Sequence, residues 1–233
     1  MVSRKAKEPA PDKVSVLIPA HNEEQYIFET VTAISTIPEI SEIVVIDDAS
    51  ADNTANLAAE AGAVVISLPA NLGKGGALNK GLSQIKSGII ALVDGDIGVS
   101  AAEVRKLIIP VVEGQADMTI ARFPRARKKG GFGLVKGLAR KGIKYFTGME
   151  VLAPLSGQRV MKREVIDALG GFDSGFGVEV GMTIDVLRKG FRIMEVEVNM
   201  THAETGRDLP GFLHRGKQFL HVARVLARRL VMR

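Results

Sequence analysis

The stretch from Ile89 to Asp96 constrains the fold of this chain more than any other. Its sequence, IIALVDGD, places an unbroken apolar run directly before two carboxylates separated by one glycine. Such a run predicts a strand buried on both faces, as in a parallel sheet covered by helices. Ligands of such sheets bind beyond the carboxyl ends of the strands. Two acidic groups at that edge favour a cation between them, and the alternative is a solvated turn that ends the strand.

Strand and helix patterns alternate through the first part of the chain. Asn22 is predicted to cap the first helix, because an amide oxygen can accept a bond from the first turn and acidic residues follow it. The alternation predicts an α/β fold with a doubly wound, mainly parallel sheet. Strands are predicted at 14–19, 43–46, 63–68 and 89–93, with helices ending near 34, 61 and 85.

The second half of the chain has a less regular pattern. The segment 193–198 alternates apolar residues with glutamate, which predicts a half-buried or edge strand. A short strand is predicted at 118–121 and another after 159, and a basic, glycine-ended loop at 122–131 separates two of the helices. Helices are predicted at about 101–109, 134–146, 164–169, before Gly190, and at 212–233.

The last predicted helix has two distinct faces. Its apolar side either packs on the rest of the domain, leaving the basic side in solvent, or lies on anionic lipid. The basic side carries His214, Lys217, His221, Arg224 and Arg228, and the apolar side carries Phe219, Val222, Ala223, Leu226 and Leu230.

Composition narrows the classes of function. A net charge of +5 and a pI near 9.5 favour an anionic partner. Nucleic acid is disfavoured, because aromatic residues make up only 5% and the basic residues fall in two distant segments. The chain has no cysteine, which excludes disulfides and thiolate chemistry. The first residues lack the apolar core of a signal peptide, and no run is long enough to span a membrane. We therefore expect a cytoplasmic protein, at the inner face of the membrane if the last helix binds lipid.

Four motifs in order carry a resemblance to a known family. The segments VLIPAHNEE, IVVIDDASADNT, NLGKGGALNKGL and ALVDGDIG resemble those of family 2 glycosyltransferases and their GT-A-fold relatives. The likeness extends from about Lys13 to His202. The later segments PLSGQR, GFGVEVG and VNMTHAE are more similar to glucosyl-3-phosphoglycerate synthases, and some polyprenyl-phosphate glycosyltransferases share parts of them.

The resemblance implies a nucleotide-sugar donor, usually a UDP-sugar, and a divalent cation, Mn²⁺ or Mg²⁺. Asp96 matches the metal-binding residue of the D-x-D motif, and His202 matches a late histidine that joins the metal ligands. Both fit the chemistry, since hard cations choose carboxylate oxygens and Mn²⁺ also accepts imidazole. The donor-binding residues implied by the resemblance are Pro19, Ala20, His21, Glu23, Asp48, Lys74, Asp94 and Gly95.

Glu179 matches the glutamate of a GYGVEIG-like motif in the same relatives and is the candidate base. A carboxylate near a bound sugar can take the proton of the acceptor hydroxyl and release an inverted product. The alternative role is a favourable charge in the first turn of a helix. Ser156 and Gly157 match an acceptor-side turn, or form a simple tight turn. Arg122 and the basic loop that follows it either hold an acceptor phosphate or are solvated.

Departures from the family leave the reaction partly open. The chain has no Trp, no "ED" pair and no late Q-x-x-R-W, so a processive polysaccharide synthase is disfavoured. The anomeric outcome stays open, because the resemblance includes enzymes that retain configuration. A sugar nucleotidyltransferase is disfavoured too, since its glycine-rich loop follows the first strand, where this chain has Pro19, Ala20 and His21.

The sequence therefore predicts a metal-dependent glycosyltransferase that moves glucose from UDP-glucose to a small or lipid-linked phosphorylated acceptor. The alternatives are a retaining glucosyl-3-phosphoglycerate synthase-like enzyme, a polyprenyl-phosphate glycosyltransferase, and a nucleotide-binding module at a membrane surface. A homodimer is left open. The predicted boundaries are a tail at 1–12, a GT-A domain at 13–211 and a basic amphipathic helix at 212–233. Within the domain, 13–98 is the nucleotide-binding half and 99–211 the acceptor-binding half.

Overall fold

One mixed sheet of seven strands organises the chain, in the order β3-β2-β1-β4-β6-β5-β7. The structure, a computed structural model, describes residues 13–124, 133–173, 177–201 and 209–231. The strands are β1 (Val14–Ala20), β2 (Ile40–Asp47), β3 (Val64–Ser67), β4 (Ile89–Leu92), β5 (Met118–Arg122), β6 (Arg159–Lys162) and β7 (Ile193–Glu197).

Helices cover both faces of this sheet. A 3₁₀ segment, Gly98–Val104, leads directly into α4. The helices are α1 (Ile27–Ser35), α2 (Thr54–Glu60), α3 (Gly73–Leu82), α4 (Arg105–Val112), α5 (Leu134–Thr147), α6 (Arg163–Leu169), α7 (Val178–Arg188) and α8 (Leu209–Val231).

The direction of the strands confirms the predicted mainly parallel α/β sheet. β1 runs parallel to both β2 and β4, and β2 runs parallel to β3, so their carboxyl ends meet at one edge. β6 lies antiparallel between β4 and β5. β7 is the last strand and pairs with β5 alone, as expected of an edge strand. The carboxylates that follow β2 and β4 are therefore brought to the same edge.

Two apolar cores, one on each face, explain the unbroken apolar runs. Val16 and Ile18 of β1 point into the core beneath α1 and α4, whereas Leu17 points into the core beneath α3 and α5. All residues of β4 are buried. A strand buried on both faces cannot alternate with polar residues, which is why the period of two is absent.

Several local predictions were wrong. Asn22 does not cap α1: the helix begins at Ile27 after Tyr26, and Asn22 adopts a left-handed conformation with φ 57°. Its side-chain oxygen instead accepts a bond from the Ala51 N–H at 2.8 Å, which joins the loops after β1 and β2. Asparagine tolerates this conformation better than most residues. The helix predicted to begin at Ala101 instead starts as the 3₁₀ segment.

α8 packs closely against α5 and α7 at two glycines. A Cβ atom on Gly177 would lie 2.4 Å from Val225, and one on Gly142 would lie 2.5 Å from Leu226. The buried face therefore includes Val225, whereas Phe219 and Leu230, predicted on that face, are 39% and 52% exposed. Across the described residues, we find no helix with the length and apolar character needed to cross a membrane.

Arg229 fixes the far end of α8. Its guanidinium donates to Asp173 at 2.8 Å and, through Nε, to Asp185 at 2.9 Å. Because Asp185 belongs to α7, the contact joins the last helix to the element that carries Glu179. Gly181 of α7 leaves the space for it, since a Cβ there would lie 2.4 Å from Asp173.

Candidate active site

A cavity of about 520 Å³ opens at the carboxyl edge of β1, β2 and β4. The donor-binding residues predicted from the sequence all lie on its wall, together with Asp96, Gly157 and Glu179. Leu155 and Gln218 also line it and were not predicted. The complete lining is Pro19, Ala20, His21, Glu23, Asp48, Lys74, Asp94, Gly95, Asp96, Leu155, Gly157, Glu179 and Gln218.

Lys74 lies between two carboxylates on the wall of this cavity. Its ammonium lies 2.6 Å from Asp94 Oδ1 and 3.0 Å from Glu179 Oε1. Burial by itself lowers the pKa of Lys74, but the charges of Asp94 and Glu179 outweigh it, so the pKa is raised above its usual value. The lysine therefore stays protonated and holds two carboxylates from distant parts of the chain close together.

Gly157 and Gln158 complete the surroundings of Asp94. Gln158 Nε2 donates to Asp94 Oδ2 at 2.8 Å. A Cβ atom on Gly157 would lie 2.4 Å from Lys74 Nζ and 2.5 Å from Asp94 Oδ2, so a side chain there would displace this ion pair. Asp94 is thus bonded on both oxygens by cationic or amide donors from other elements.

The carboxylates of Glu23 and Asp96 also line this cavity. Burial, joined by the charges of Asp96, Asp94 and Asp52, raises the pKa of Glu23 to about 7. Part of this shift therefore reflects negative charge around Glu23, which a bound cation relieves.

The donor set fits a hard divalent cation held only partly by protein. Of the residues that the structure describes, no three His, Asp or Glu side chains are arranged to hold a metal ion by themselves. Mg²⁺ characteristically binds one or two carboxylates and completes its coordination with substrate phosphates and water. Asp96 fits this arrangement. His202, the other predicted ligand, lies outside the described residues.

Asp48 organises the glycine-rich loop. Its carboxylate accepts the Leu72 and Gly73 N–H groups at 2.7 and 2.8 Å, and so caps the start of α3. His21 Nδ1 donates to the Asp48 carbonyl oxygen at 2.8 Å. The next residue, Ala49, has φ 58°, a left-handed conformation that costs free energy for a residue with a Cβ atom. Such strain clusters at functional sites.

A buried threonine braces the turn between the two aspartates. Thr30 Oγ1 of α1 donates to the Gly95 carbonyl at 2.9 Å and accepts the Gly98 N–H at 2.8 Å. The turn that carries Asp94 and Asp96 is therefore held in place by α1. Sequence reasoning missed Thr30, because a threonine within an amphipathic helix gives no signal of its partner.

Arg159 is a second residue that sequence reasoning missed. It is fully buried, and it donates through Nε to the Ser156 carbonyl at 2.9 Å and through Nη1 to Thr183 Oγ1 at 2.9 Å. Burial lowers the pKa of Arg159 to about 10, and the charges of Glu179 and Glu195 act in the opposite direction. Thr183 in turn donates to the Glu179 carbonyl at 2.7 Å. The arginine thus ties the 154–157 turn to the helix that bears Glu179.

A second cavity, of about 500 Å³, adjoins the first. The two share Asp94, Leu155 and Gly157. Arg122, Ser156 and Lys136 line only the second one, which gives it two cationic side chains. Arg122 also pairs with Glu197 of β7. The basic segment at 125–129, predicted to contact an acceptor, lies outside the described residues.

Comparisons with known proteins agree with this geometry. Residues 15–170 match the model of Glycosyl transferase family 2. Glucosyl-3-phosphoglycerate synthase of Mycobacterium tuberculosis is 31% identical over 195 residues, which cover 74% of this chain and 60% of that protein. Glycosyltransferase AglJ of Haloferax volcanii is 26% identical over 209 residues, 86% of this chain and 67% of that protein. The chain therefore spans about 60% of the mycobacterial relative and about two thirds of the archaeal one.

Crystal structures of the same mycobacterial synthase share the fold. One, in complex with Mn²⁺, UDP and glucosyl-3-phosphoglycerate, superposes with a TM-score of 0.80 at 28% identity and covers 94% of this chain and 80% of that one. Another contains Mn²⁺, UDP-glucose and phosphoglyceric acid, with a TM-score of 0.79 at 27% identity, covering 94% and 79%. The GT-A fold predicted from the sequence is confirmed.

Proposed function

Since the chain belongs to Glycosyl transferase family 2, we propose that it transfers a sugar, glucose, from UDP-glucose to a phosphorylated acceptor with the help of Mn²⁺ or Mg²⁺. The observation that carries the proposal is the cavity in which Lys74, Asp94, Asp96 and Glu179 meet. The donor and the metals are those found in the crystal structures of the mycobacterial synthase.

The residues of this cavity can be assigned separate roles in the reaction. When bound, the divalent cation neutralises the negative charge that builds on the diphosphate as the glycosidic bond breaks. Asp96 would hold it, with His202 as a second ligand. Lys74 would supply a fixed positive charge next to the transferred sugar, and Asp48 keeps the glycine-rich loop in place. Pro19, Ala20 and His21, which line the same cavity, would contact the nucleoside.

Glu179 is our proposed general base. It is almost fully buried, it lines the cavity and it is oriented by Lys74 at 3.0 Å. A carboxylate there can accept the proton of the acceptor hydroxyl as the new glycosidic bond forms, which gives inversion at the anomeric carbon. A retaining reaction, as in a glucosyl-3-phosphoglycerate synthase-like enzyme, is the second candidate, because a crystal structure of the mycobacterial synthase contains glucosyl-3-phosphoglycerate.

The second cavity is our proposed acceptor site. Arg122 and Lys136 supply cations at one end, and Gly157 connects it with the donor cavity. Arginine suits the oxygens of a phosphate or carboxylate, since it donates two parallel hydrogen bonds. Crystal structures of the mycobacterial synthase contain small phosphorylated acids and glycerol 3-phosphate. A small phosphorylated acceptor is our first choice, and a lipid-linked phosphate is the alternative.

Titration calorimetry with UDP, GDP and UDP-glucose, each with and without Mn²⁺, tests the donor class. We expect uridine nucleotides to bind and the binding to depend on the metal. Asp96→Ala should abolish the metal-dependent part, whereas Lys80→Glu, an exposed change on α3, should leave it intact. Equal Mn²⁺-dependent UDP affinity in Asp96→Ala would remove Asp96 as the metal ligand. Binding without sugar transfer to any acceptor would support the nucleotide-binding module instead.

Where the protein works and how it assembles are separate proposals. We propose a cytoplasmic location on the basis of the predicted use of a nucleotide sugar. A lipid-linked acceptor would require the protein to reach the inner face of a membrane. Cell fractionation at low and high salt distinguishes the two locations, and sedimentation velocity over a range of concentrations tests the homodimer.

A further inference from the structure

The helices α5 and α8 form a basic pair on the outside of the molecule. They pack directly on each other, with Leu226 of α8 seated against Gly142 of α5. Neither helix contains an Asp or Glu residue along its whole length. Helices in solvent usually mix both signs of charge, because acidic residues favour the first turn and pair with lysines. The absence of acids therefore needs a reason other than helix stability.

Exposed cations and exposed apolar side chains occur together on these two helices. Leu134 and Tyr145 of α5 are 66% and 61% exposed, and Leu220 and Leu230 of α8 are 55% and 52% exposed. Acids do reach the pair from other elements: Glu150, just beyond the end of α5, pairs with Lys144 at 2.6 Å, and Asp173 and Asp185 pair with Arg229 of α8. The exposed cations of the pair are Lys136, Arg140, Lys141, Lys144, Arg224 and Arg228.

We propose that the exposed faces of α5 and α8 form a docking surface for an anionic lipid bilayer. Basic side chains near such a membrane are attracted by its surface potential, and apolar side chains between them enter the headgroup region. Both components are present here, and both lie on helices that are held rigidly by the fold. We call these faces the α5–α8 surface.

The position of α5 connects this surface to catalysis. Lys136, near the start of the helix, lines the second cavity. A cleft of about 340 Å³ continues along the same helix, lined by Gly137, Arg140, Lys141 and Lys144 together with Glu150 and Val151. A bilayer bound to the α5–α8 surface would therefore lie beside the cavity proposed for the acceptor. This link rests on the proposed function, whereas the docking itself does not.

Two other occupants fit the surface less well. A second copy of the chain, in a two-fold dimer, would place the same cationic faces against each other, which like-charge repulsion opposes. A nucleic acid would neutralise the cations through its phosphates but would leave the exposed leucines without an apolar partner. A bilayer satisfies both kinds of side chain.

Vesicle co-sedimentation tests the proposal with the full chain. The probe is a set of vesicles of phosphatidylcholine alone, or with about a third phosphatidylserine, at low and at high salt. We expect binding to the anionic vesicles only, weakened by salt. The double variants Arg140→Glu/Lys141→Glu and Arg224→Glu/Arg228→Glu should each lose about tenfold or more of the binding. Leu220→Asp should weaken it at high salt as well, because it acts on the apolar part.

A matched control separates this surface from general charge. Lys80→Glu/Lys86→Glu makes the same change of charge at exposed positions away from α5 and α8. It should bind anionic vesicles like the unmodified protein, and all variants should keep their circular dichroism and their metal-dependent UDP binding. Absence of sedimentation of the intact chain, or an equal loss in the control, overturns the proposal. A dimer that Leu220→Asp dissociates, without vesicle binding, would make a second copy the occupant. If the unmodified protein sediments with anionic vesicles but does not bind UDP, the docking proposal stands and the proposed function is contradicted.

Discussion

Two clusters of charged residues in this molecule are built from the same chemistry but with the signs exchanged. In the active-site cluster, Lys74 lies between the carboxylates of Asp94 and Glu179. In the edge cluster, Asp117 lies between Lys162 at 2.9 Å and Arg192 at 2.9 Å, at the amino ends of β5 and β7. The active-site cluster lines a cavity that contains further acidic side chains. The side chains of the edge cluster form hydrogen bonds with backbone groups.

The difference lies in how completely the charges are satisfied. Asp117 also accepts the Arg192 N–H, and Arg192 donates to the Gly114 carbonyl, so the edge cluster joins three chain segments. Bonds from Arg192, Lys162 and the backbone hold the pKa of Asp117 well below its usual range. The active-site cluster instead keeps an excess of negative charge next to an open cavity. We infer that the edge cluster stabilises the fold, whereas the active-site cluster is arranged for a charged ligand.

The largest effect is expected from Glu179→Gln, which keeps the shape of the side chain but removes the base. Turnover should fall about 10²–10⁴-fold, the usual contribution of a general base. Affinity for UDP and the thermal unfolding temperature should change little, since the ion pair of Lys74 with Asp94 remains. Steady-state kinetics with calorimetry of the same preparation checks both parts. Near-normal turnover would remove Glu179 as the base.

Gly157→Ala should have an intermediate effect. The new methyl group would meet Lys74 Nζ and Asp94 Oδ2 at 2.4 and 2.5 Å, so the lysine has to move away from its partner. We expect kcat/KM to fall by about 10–100-fold, because displacements of this size misalign reacting groups. Gly137→Ala, where a Cβ atom would meet nothing within 4 Å, is the matched control. Equal activity of both variants would show that the approach of this turn does not matter.

Asp117→Asn should lower stability and leave activity unchanged, the opposite of the active-site variants. It should lower the thermal unfolding temperature by a few degrees, on the order expected for a broken partly buried ion pair in a chain of this size. UDP affinity and turnover should be unchanged, because the edge cluster lies at the opposite end of the strands. A loss of activity at a temperature where the variant is folded would contradict the distinction between the two clusters.

The smallest effect concerns pH. The folded-state pKa of Asp117 is depressed, so its contribution to the free energy of unfolding is fully present above about pH 4, the usual pKa of an aspartate. It is lost as the pH falls from there towards the folded-state pKa. Urea unfolding of the unmodified protein and of Asp117→Asn should therefore converge below about pH 4. A difference that stays constant down to acid pH would mean that the stabilisation is not ionic.

The residues of the site at the strand ends could be predicted from the sequence better than those contributed by the second half of the chain. Pro19 ends one predicted strand, and Asp48 and Asp94 lie just beyond the ends of two others. The rule that carboxyl ends of parallel strands share one edge was enough to bring them together. Gln158 and Arg159 fall in the PLSGQR segment that carries the resemblance, but nothing in the sequence indicated their contacts, and Gln218 gave no signal. A buried arginine with neutral partners, and a glutamine on a helix whose other residues are basic or apolar, are indistinguishable in sequence from surface residues.

By itself, the sequence determined the α/β class, the strands buried on both faces and the edge at which the acids collect. These follow from local apolar runs and from the direction of neighbouring strands. Only the tertiary structure decided that β6 runs antiparallel, that Asn22 joins two loops instead of capping α1, and that Glu179 meets Lys74. The reason is physical: such contacts join segments far apart in the chain, as Gln158 and Asp94 are by 64 positions. Their geometry depends on how whole elements pack, and on glycines such as Gly157 that leave space only once the partners are in place.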